Sequence, residues 1–193
     1  MCTSSDGYVS FQYTASFPGP VLLLNNPADP VSGLTPIDGW ETAGVTDCVA
    51  CELSRGERDL PGGLIHRTDF WLVEHCIGPL GVGTLIVKPE RHVTSVGELG
   101  EDEAAELGPL LRRASTIAGQ LTAADQVYNC LWSHAGGRPV HIHFVVQPVT
   151  TAQMSAFGAH GPQLQAAMFS AGQLPGRGEI EAAADKARLL FAA

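Results

Sequence analysis

The sequence predicts an α+β fold. Four short apolar runs read as strands: Phe70 to Val73, Gly83 to Pro89, Val127 to Trp132 and Val140 to Val146. One long amphipathic segment, Glu101 to about Leu121, separates the first two strands from the last two. From Thr150 the chain turns alanine-rich and helical in character. With 193 residues and 45% hydrophobic content, the chain suits a single core-bearing domain with extensions. Its divisions are an arm over residues 1–46, a compact domain over 47–149 and a helical extension over 150–193.

The arm is rich in Gly, Pro, Ser, Thr and Asn, yet it carries Tyr8, Phe11, Tyr13, Phe17 and Leu22 to Leu24. It reads as an extended segment with one or two short strands that packs on something; a disordered tail is the competing reading. In the compact domain, Gly78 to Gly81 turns the chain between the first two strands. Pro89 ends the second strand, because proline cannot donate to the ladder. Over 101–121, Leu107, Leu110, Leu111, Ala114, Ile117 and Leu121 recur mostly at three- and four-residue spacings, which makes one helix face apolar. Glu101, Asp102 and Glu103 fall in the first turn, where the helix dipole favours acids. Pro109 predicts a kink or a late start. A glycine-rich turn, His134-Ala135-Gly136-Gly137-Arg138, joins the last two strands. Helical turns follow over about Thr151 to Ser170, interrupted at Gly161-Pro162. After a firmer break at Pro175-Gly176, a helix spans Glu179 to Phe191 with Ile180, Ala184, Leu189 and Leu190 as its apolar face. The chain contains no internal repeat.

Composition excludes several classes. Net charge is −9 with only 11 Lys and Arg and no basic run, so a nucleic-acid backbone is not an expected partner. The segment Met1 to Asp6 has neither a basic stretch nor an apolar core, so no secretory signal is expected there. Runs such as Val21 to Leu24 are far too short to span a bilayer. Five cysteines, an odd number, fit a reducing cytosol better than a disulfide framework, so the expected location is cytoplasmic.

Chemistry gathers in two pairs of residues. Cys48 and Cys51, in Asp47-Cys48-Val49-Ala50-Cys51, have the spacing with which two thiolates grip one zinc. The same spacing serves redox motifs, but the thioredoxin-like strand-helix context is missing. Zinc needs two more ligands, and His92 and His141 are the candidates. His141 and His143, in Val140-His141-Ile142-His143-Phe144, alternate on a strand, so they share a face roughly 6 to 7 Å apart. Two imidazoles on an otherwise apolar strand are costly to bury unpaired.

Three blocks taken together, Asp47 to Leu53, Gly83 to Val93, and Ala135-Gly136 to His143, resemble the histidine triad (HIT) superfamily of nucleotide hydrolases and transferases. Their order and spacing match over roughly 47–149. The resemblance implies an antiparallel sheet with a packed helix, a homodimer, and a small-molecule nucleotide or dinucleotide as substrate. Its zinc-bearing branch, like the related galactose-1-phosphate uridylyltransferases, implies a structural zinc on Cys48, Cys51, His92 and His141. It implies His143 as the nucleophile that forms a phosphohistidine, splitting one hard displacement into two easier ones. Position 145 departs from the pattern: the family carries a third histidine or a glutamine there, and this chain carries Val145. Gln147 has the same strand parity and is the candidate substitute. A second register puts Pro139 first, making His141 the nucleophile and His143 the third histidine, but it needs a gap and leaves zinc a ligand short. Around the site, the Arg138 guanidinium and the Gly137 N–H would hold phosphate oxygens, His134 would supply a donor, and Glu74 would meet the ribose hydroxyls. Phe70 and Trp71 either flank a base or pack in the core. His75, Cys76 and Cys130 read as packing or loop residues, and His66 and His160 have no evident partner. The implied function is cleavage or transfer at a nucleotide α-phosphate. The rivals are a zinc-stabilised binding module without turnover, favoured by Val145, and a nucleotidyltransferase or phosphorylase.

Overall fold

The computed structural model describes residues 48–135 and 138–193, apart from the side chains of residues 134, 135, 138 and 139. The arm expected over 1–46 and the Gly137 donor lie outside the described residues. Five strands form one antiparallel sheet in the order β1-β2-β3-β5-β4. They are β1 (Leu64–Arg67), β2 (Trp71–His75), β3 (Leu85–Pro89), β4 (Gln126–Ala135) and β5 (Arg138–Val149). The helices are α1 (Val49–Arg55), α2 (Glu101–Thr122), α3 (Thr151–Phe157), α4 (Gly161–Ala171) and α5 (Arg177–Ala192). None of the described helices is long and apolar enough to cross a membrane.

Period-two alternation gives the sheet two covered faces. On one face, Trp71, Val73, Leu85, Val87 and Val146 meet Leu110, Ala114 and Ile117 of α2 and Ala184, Ala187 and Phe191 of α5. On the other face, Ile86, Val145 and Val149 meet Leu164 and Met168 of α4, with Cys76 and Leu80. Fully burying each such side chain contributes about 1.5–3 kcal/mol. The Trp71 indole N–H also donates to the Glu103 carbonyl at 2.9 Å, tying β2 to the first turn of α2.

Several elements differ from the sequence reading. Strand β1 escapes notice because it is only four residues long and alternates weakly, with the burial pattern exposed, buried, half-buried, exposed. Helix α1, with seven residues, is too short to show a periodicity. Pro109 neither delays nor interrupts α2, which runs unbroken from Glu101. Pro109 and Ala105 are both exposed, so the carbonyl that loses its partner faces water. In α5 the inward face is Ile180, Ala183, Ala184, Ala187 and Phe191, whereas Leu189 is 74% exposed. Alanines line that face because α5 lies close: Gly62 has φ +78°, and a Cβ there would stand 2.6 Å from the Ala184 Cβ.

One buried ion pair joins α1 to the sheet. Lys88 on β3 is fully buried, and its ammonium lies 2.8 Å from the carboxylate of Glu74 on β2. The same ammonium donates to the Ala50 carbonyl of α1 at 3.0 Å. Burial raises the Glu74 pKa, and Lys88 opposes that rise. Removing one partner strands a buried charge, so Lys88→Met should lower the unfolding free energy by about 3–5 kcal/mol, whereas Lys88→Met with Glu74→Leu should recover most of the loss. Urea denaturation of the three proteins checks both outcomes.

Candidate functional site

Cys48 and Cys51 sit within one turn, Cys48 as the N-cap of α1 and Cys51 three residues on. Their helix is held to the sheet by Lys88, as described above. His92 lies in the loop after β3. Arg91, its neighbour, grips the Glu103 carboxylate with two bonds of 2.7 Å, and the Ile142 N–H donates to the Val93 carbonyl at 2.8 Å. These anchors bring His92 beside His141 of β5, their rings 5.2 Å apart and nearly perpendicular.

The ligand atoms of Cys48, Cys51, His92 and His141 all lie within 4.8 Å of one another. Cys51 Sγ is 3.3 Å from His92 Nδ1 and 3.4 Å from His141 Nδ1. A tetrahedral ion with about 2.3 Å metal–sulfur and about 2.0–2.1 Å metal–nitrogen bonds places such atoms roughly 3.6 Å apart. The donor set and its spacing therefore fit a zinc-like ion. His141 is 1% exposed and bonds the Pro89 carbonyl through Nε2 at 2.9 Å. A carbonyl only accepts, so Nε2 carries the proton and Nδ1 keeps its lone pair toward the cysteines. Burial pushes the His141 pKa down to about 4, and His92, Lys88 and His143 add to the fall while the Pro89 bond opposes it. Burial, then the neighbouring Cys48, pushes the Cys51 thiol up to about 11. Without a cation the Cys51 thiol holds its proton, so metal binding there releases it.

His143 stands two residues along β5 on the same face and is half-buried. Its Nδ1 lies 3.2 Å from the His141 carbonyl, so Nδ1–H donates and the neutral ring carries its lone pair on Nε2. Burial lowers the pKa of this imidazole; the carbonyl bond opposes that, and Lys88 adds to it. Directly across the β4–β5 ladder is Trp132, its ring 6.2 Å from that of His143.

The other residues picked out from the sequence fall elsewhere. Val145 is 1% exposed in the apolar cluster under α4. Gln147 is fully buried, and its amide donates to the Leu80 carbonyl at 3.1 Å and to the Met168 sulfur at 3.2 Å. These contacts turn its donor away from His143 and into the interior. Glu74, expected beside ribose hydroxyls, is 4% exposed and committed to Lys88, its strand parity opposite to that of Trp71 and Val73 in the core. Arg138 and His134 occupy the ends of β5 and β4, with side chains outside the description. Trp71 is core, and Phe70 packs against that core half-buried. His75 is structural: it donates to the Cys76 carbonyl at 2.7 Å and accepts the Gly83 N–H at 2.9 Å. His66 stacks on Phe191 with centroids 4.5 Å apart.

Sequence reasoning passed over two residues. Lys88 read only as part of a strand, yet a lysine between valine and proline in an apolar run signals a buried charge needing a partner. Trp132 was not legible from register: counting outward from the Ala135–Arg138 pair would set it opposite His141, and the irregularity between Trp132 and His134 moves it opposite His143.

No family model matches the chain. It is 25% identical over 101 residues to the adenosine 5'-monophosphoramidase hnt1 of Schizosaccharomyces pombe, covering 52% of this chain and 74% of that protein. Among solved structures it resembles a HIT-like protein involved in cell-cycle regulation from Bartonella henselae, with TM-score 0.57 and 15% identity over 77% of this chain and 99% of that one. A zinc-bound histidine triad family protein from Mycobacterium smegmatis aligns with TM-score 0.55 and 20% identity, covering 77% and 96% of the two chains. A hypothetical histidine triad nucleotide-binding protein from Sulfolobus tokodaii aligns with TM-score 0.58 and 18% identity, covering 75% and 92%. The chain has the fold of the histidine triad proteins.

Proposed function

We propose that this protein binds a nucleotide or dinucleotide and cleaves or transfers at its α-phosphate through His143, beside a structural zinc. One observation carries the reading: His143 is half-buried with its Nδ1–H tied to the His141 carbonyl, which puts the lone pair on Nε2 and makes that nitrogen the candidate nucleophile. Its lowered pKa keeps the ring neutral near pH 7, the state in which that lone pair exists. The Schizosaccharomyces pombe relative, a monophosphoramidase by name, supports the chemistry.

In the first step the Nε2 lone pair forms a bond to the α-phosphorus, and the bond from phosphorus to the leaving group breaks with its electron pair. The leaving group departs with a proton drawn from solvent, because Val145 offers no donor. The resulting phosphohistidine is cationic, and its remaining Nδ1–H stays on the His141 carbonyl. In the second step water, or another hydroxyl or phosphate acceptor, attacks the same phosphorus and gives its proton to solvent, and the nitrogen–phosphorus bond returns its electrons to Nε2. Cys48, Cys51, His92 and His141 would hold the zinc, which with four protein donors supplies a fixed tether for α1, the His92 loop and β5 and no reacting water.

Val145 supports the second reading, a binding module without turnover, and one variant separates the two. His143→Ala should lower the turnover of adenosine phosphoramidate roughly a thousandfold while leaving nucleotide affinity within a few-fold; full activity in that variant removes His143 from the role of nucleophile. If wild-type protein binds nucleotides and turns none over, the binding module stands instead. Metal analysis of purified full-length protein should find about one zinc per chain, lost in Cys48→Ser together with a fall in thermal midpoint. A content well under one zinc would sink the ligand set. Val145→His should fail to raise activity and should cost about 1–3 kcal/mol in urea denaturation, because the added ring overpacks the space under α4.

A further inference from the structure

The helical extension lies outside the matched motifs, yet it reaches the His143 face of the sheet. Helix α4 covers Val145 with Leu164 and Met168. One residue beyond Met168, Phe169 turns toward Trp132: the two rings meet edge to face with centroids 5.4 Å apart and an angle of 65°. Trp132 in turn stands 6.2 Å from His143, at 53°. Phe169 is 52% exposed, so a large aromatic ring is left open to solvent at the rim of the site. Two half-open aromatic rings set nearly at right angles form a corner, and a third ring can stack on one while meeting the edge of the other.

Charge says what that corner takes. From Gln126 to Gly176 the sequence contains a single Asp, Glu, Lys or Arg, which is Arg138. That stretch includes β4, β5, α3 and α4, the whole wall of the site on this side. A polyphosphate lying over it would find no cation on α3 or α4, and an ammonium no acid. Lys88, the nearby buried cation, is already held by Glu74 and Ala50.

We propose that Trp132 and Phe169 are specificity-determining residues that seat an uncharged planar aromatic ring of the substrate beside His143, with α4 closing the space where the third histidine of the motif would stand. The proposal rests on the nucleotide reading given above. The ring is either the nucleobase or an aromatic leaving group, and both sources present the same chemistry.

The test uses full-length, zinc-loaded protein and Phe169→Ala, a substitution at a half-exposed rim residue outside both hydrophobic clusters. Leu174→Ala, at an apolar residue 66% exposed, is the control. Two probes are compared: unsubstituted adenosine phosphoramidate, and the adenosine phosphoramidate of an aromatic amine. Each is assayed for kcat and KM. Affinity is measured separately by calorimetry in a His143→Ala background, where the probe is not consumed. Loss of one ring contact should weaken binding about threefold to tenfold, in KM and Kd with kcat little changed. An equal loss on both probes assigns the corner to the base, and a loss on the second probe alone assigns it to the leaving group. Binding that is intact and indifferent to Phe169→Ala on both probes overturns the proposal. Phe169-dependent binding by a wild-type protein that turns neither probe over supports the corner and overturns only the catalytic reading. Failure to bind either probe overturns the nucleotide reading and this proposal with it.

Discussion

Everything at the site depends on the two-residue period of β5 between two covered faces. Even-numbered Phe144 and Val146 are spent on the core under α2 and α5. The odd-numbered residues then form a row, His141, His143, Val145 and Gln147, in which each meets a different cover. His141 lies among the cysteines and His92, His143 faces Trp132 half-open, Val145 lies under α4, and Gln147 is bonded to Leu80 and Met168. A slip of one residue would send both histidines into the core and two apolar side chains to the site, so burial of the opposite face specifies the register strongly.

Internal charge supports this row. A lysine and a glutamate in the sheet would each be costly alone, but together they neutralise each other, and Lys88 retains a donor for the Ala50 carbonyl of α1. A second ion pair, Arg91 with the 6% exposed Glu103, fixes the loop that carries His92 to the start of α2. Both pairs set the placement of thiols and imidazoles to within bonding reach. Two carbonyl oxygens then set the tautomers of the rings: Pro89 O accepts from His141 Nε2–H and His141 O from His143 Nδ1–H, so adjacent histidines on one face present opposite nitrogens.

The third position shows how an extension reshapes a site. In sequence, Val145 looks like a deficit. In the folded chain it is a packed residue beneath a helix pair, and the polar partner proposed for it, Gln147, serves the same packing. The apolar cover and the valine at 145 agree, because an unpaired imidazole under Leu164 and Met168 would be penalised by burial.

The sequence by itself determined the α+β class, the long helix from Glu101 to about Leu121, the strand bearing the histidine pair, and the grouping of Cys48, Cys51, His92 and His141 as candidate metal donors. These were legible because they rest on local signals: the periods of apolar residues, proline and glycine punctuation, and motif spacing. Tertiary structure alone decided the rest. Whether Glu74 faces a ligand or Lys88, whether Gln147 reaches the site, and which ring stands beside His143 depend on which elements cover which face of the sheet. A helix that returns from 20 residues downstream leaves no mark on the strand it covers, apart from a valine where a histidine was expected.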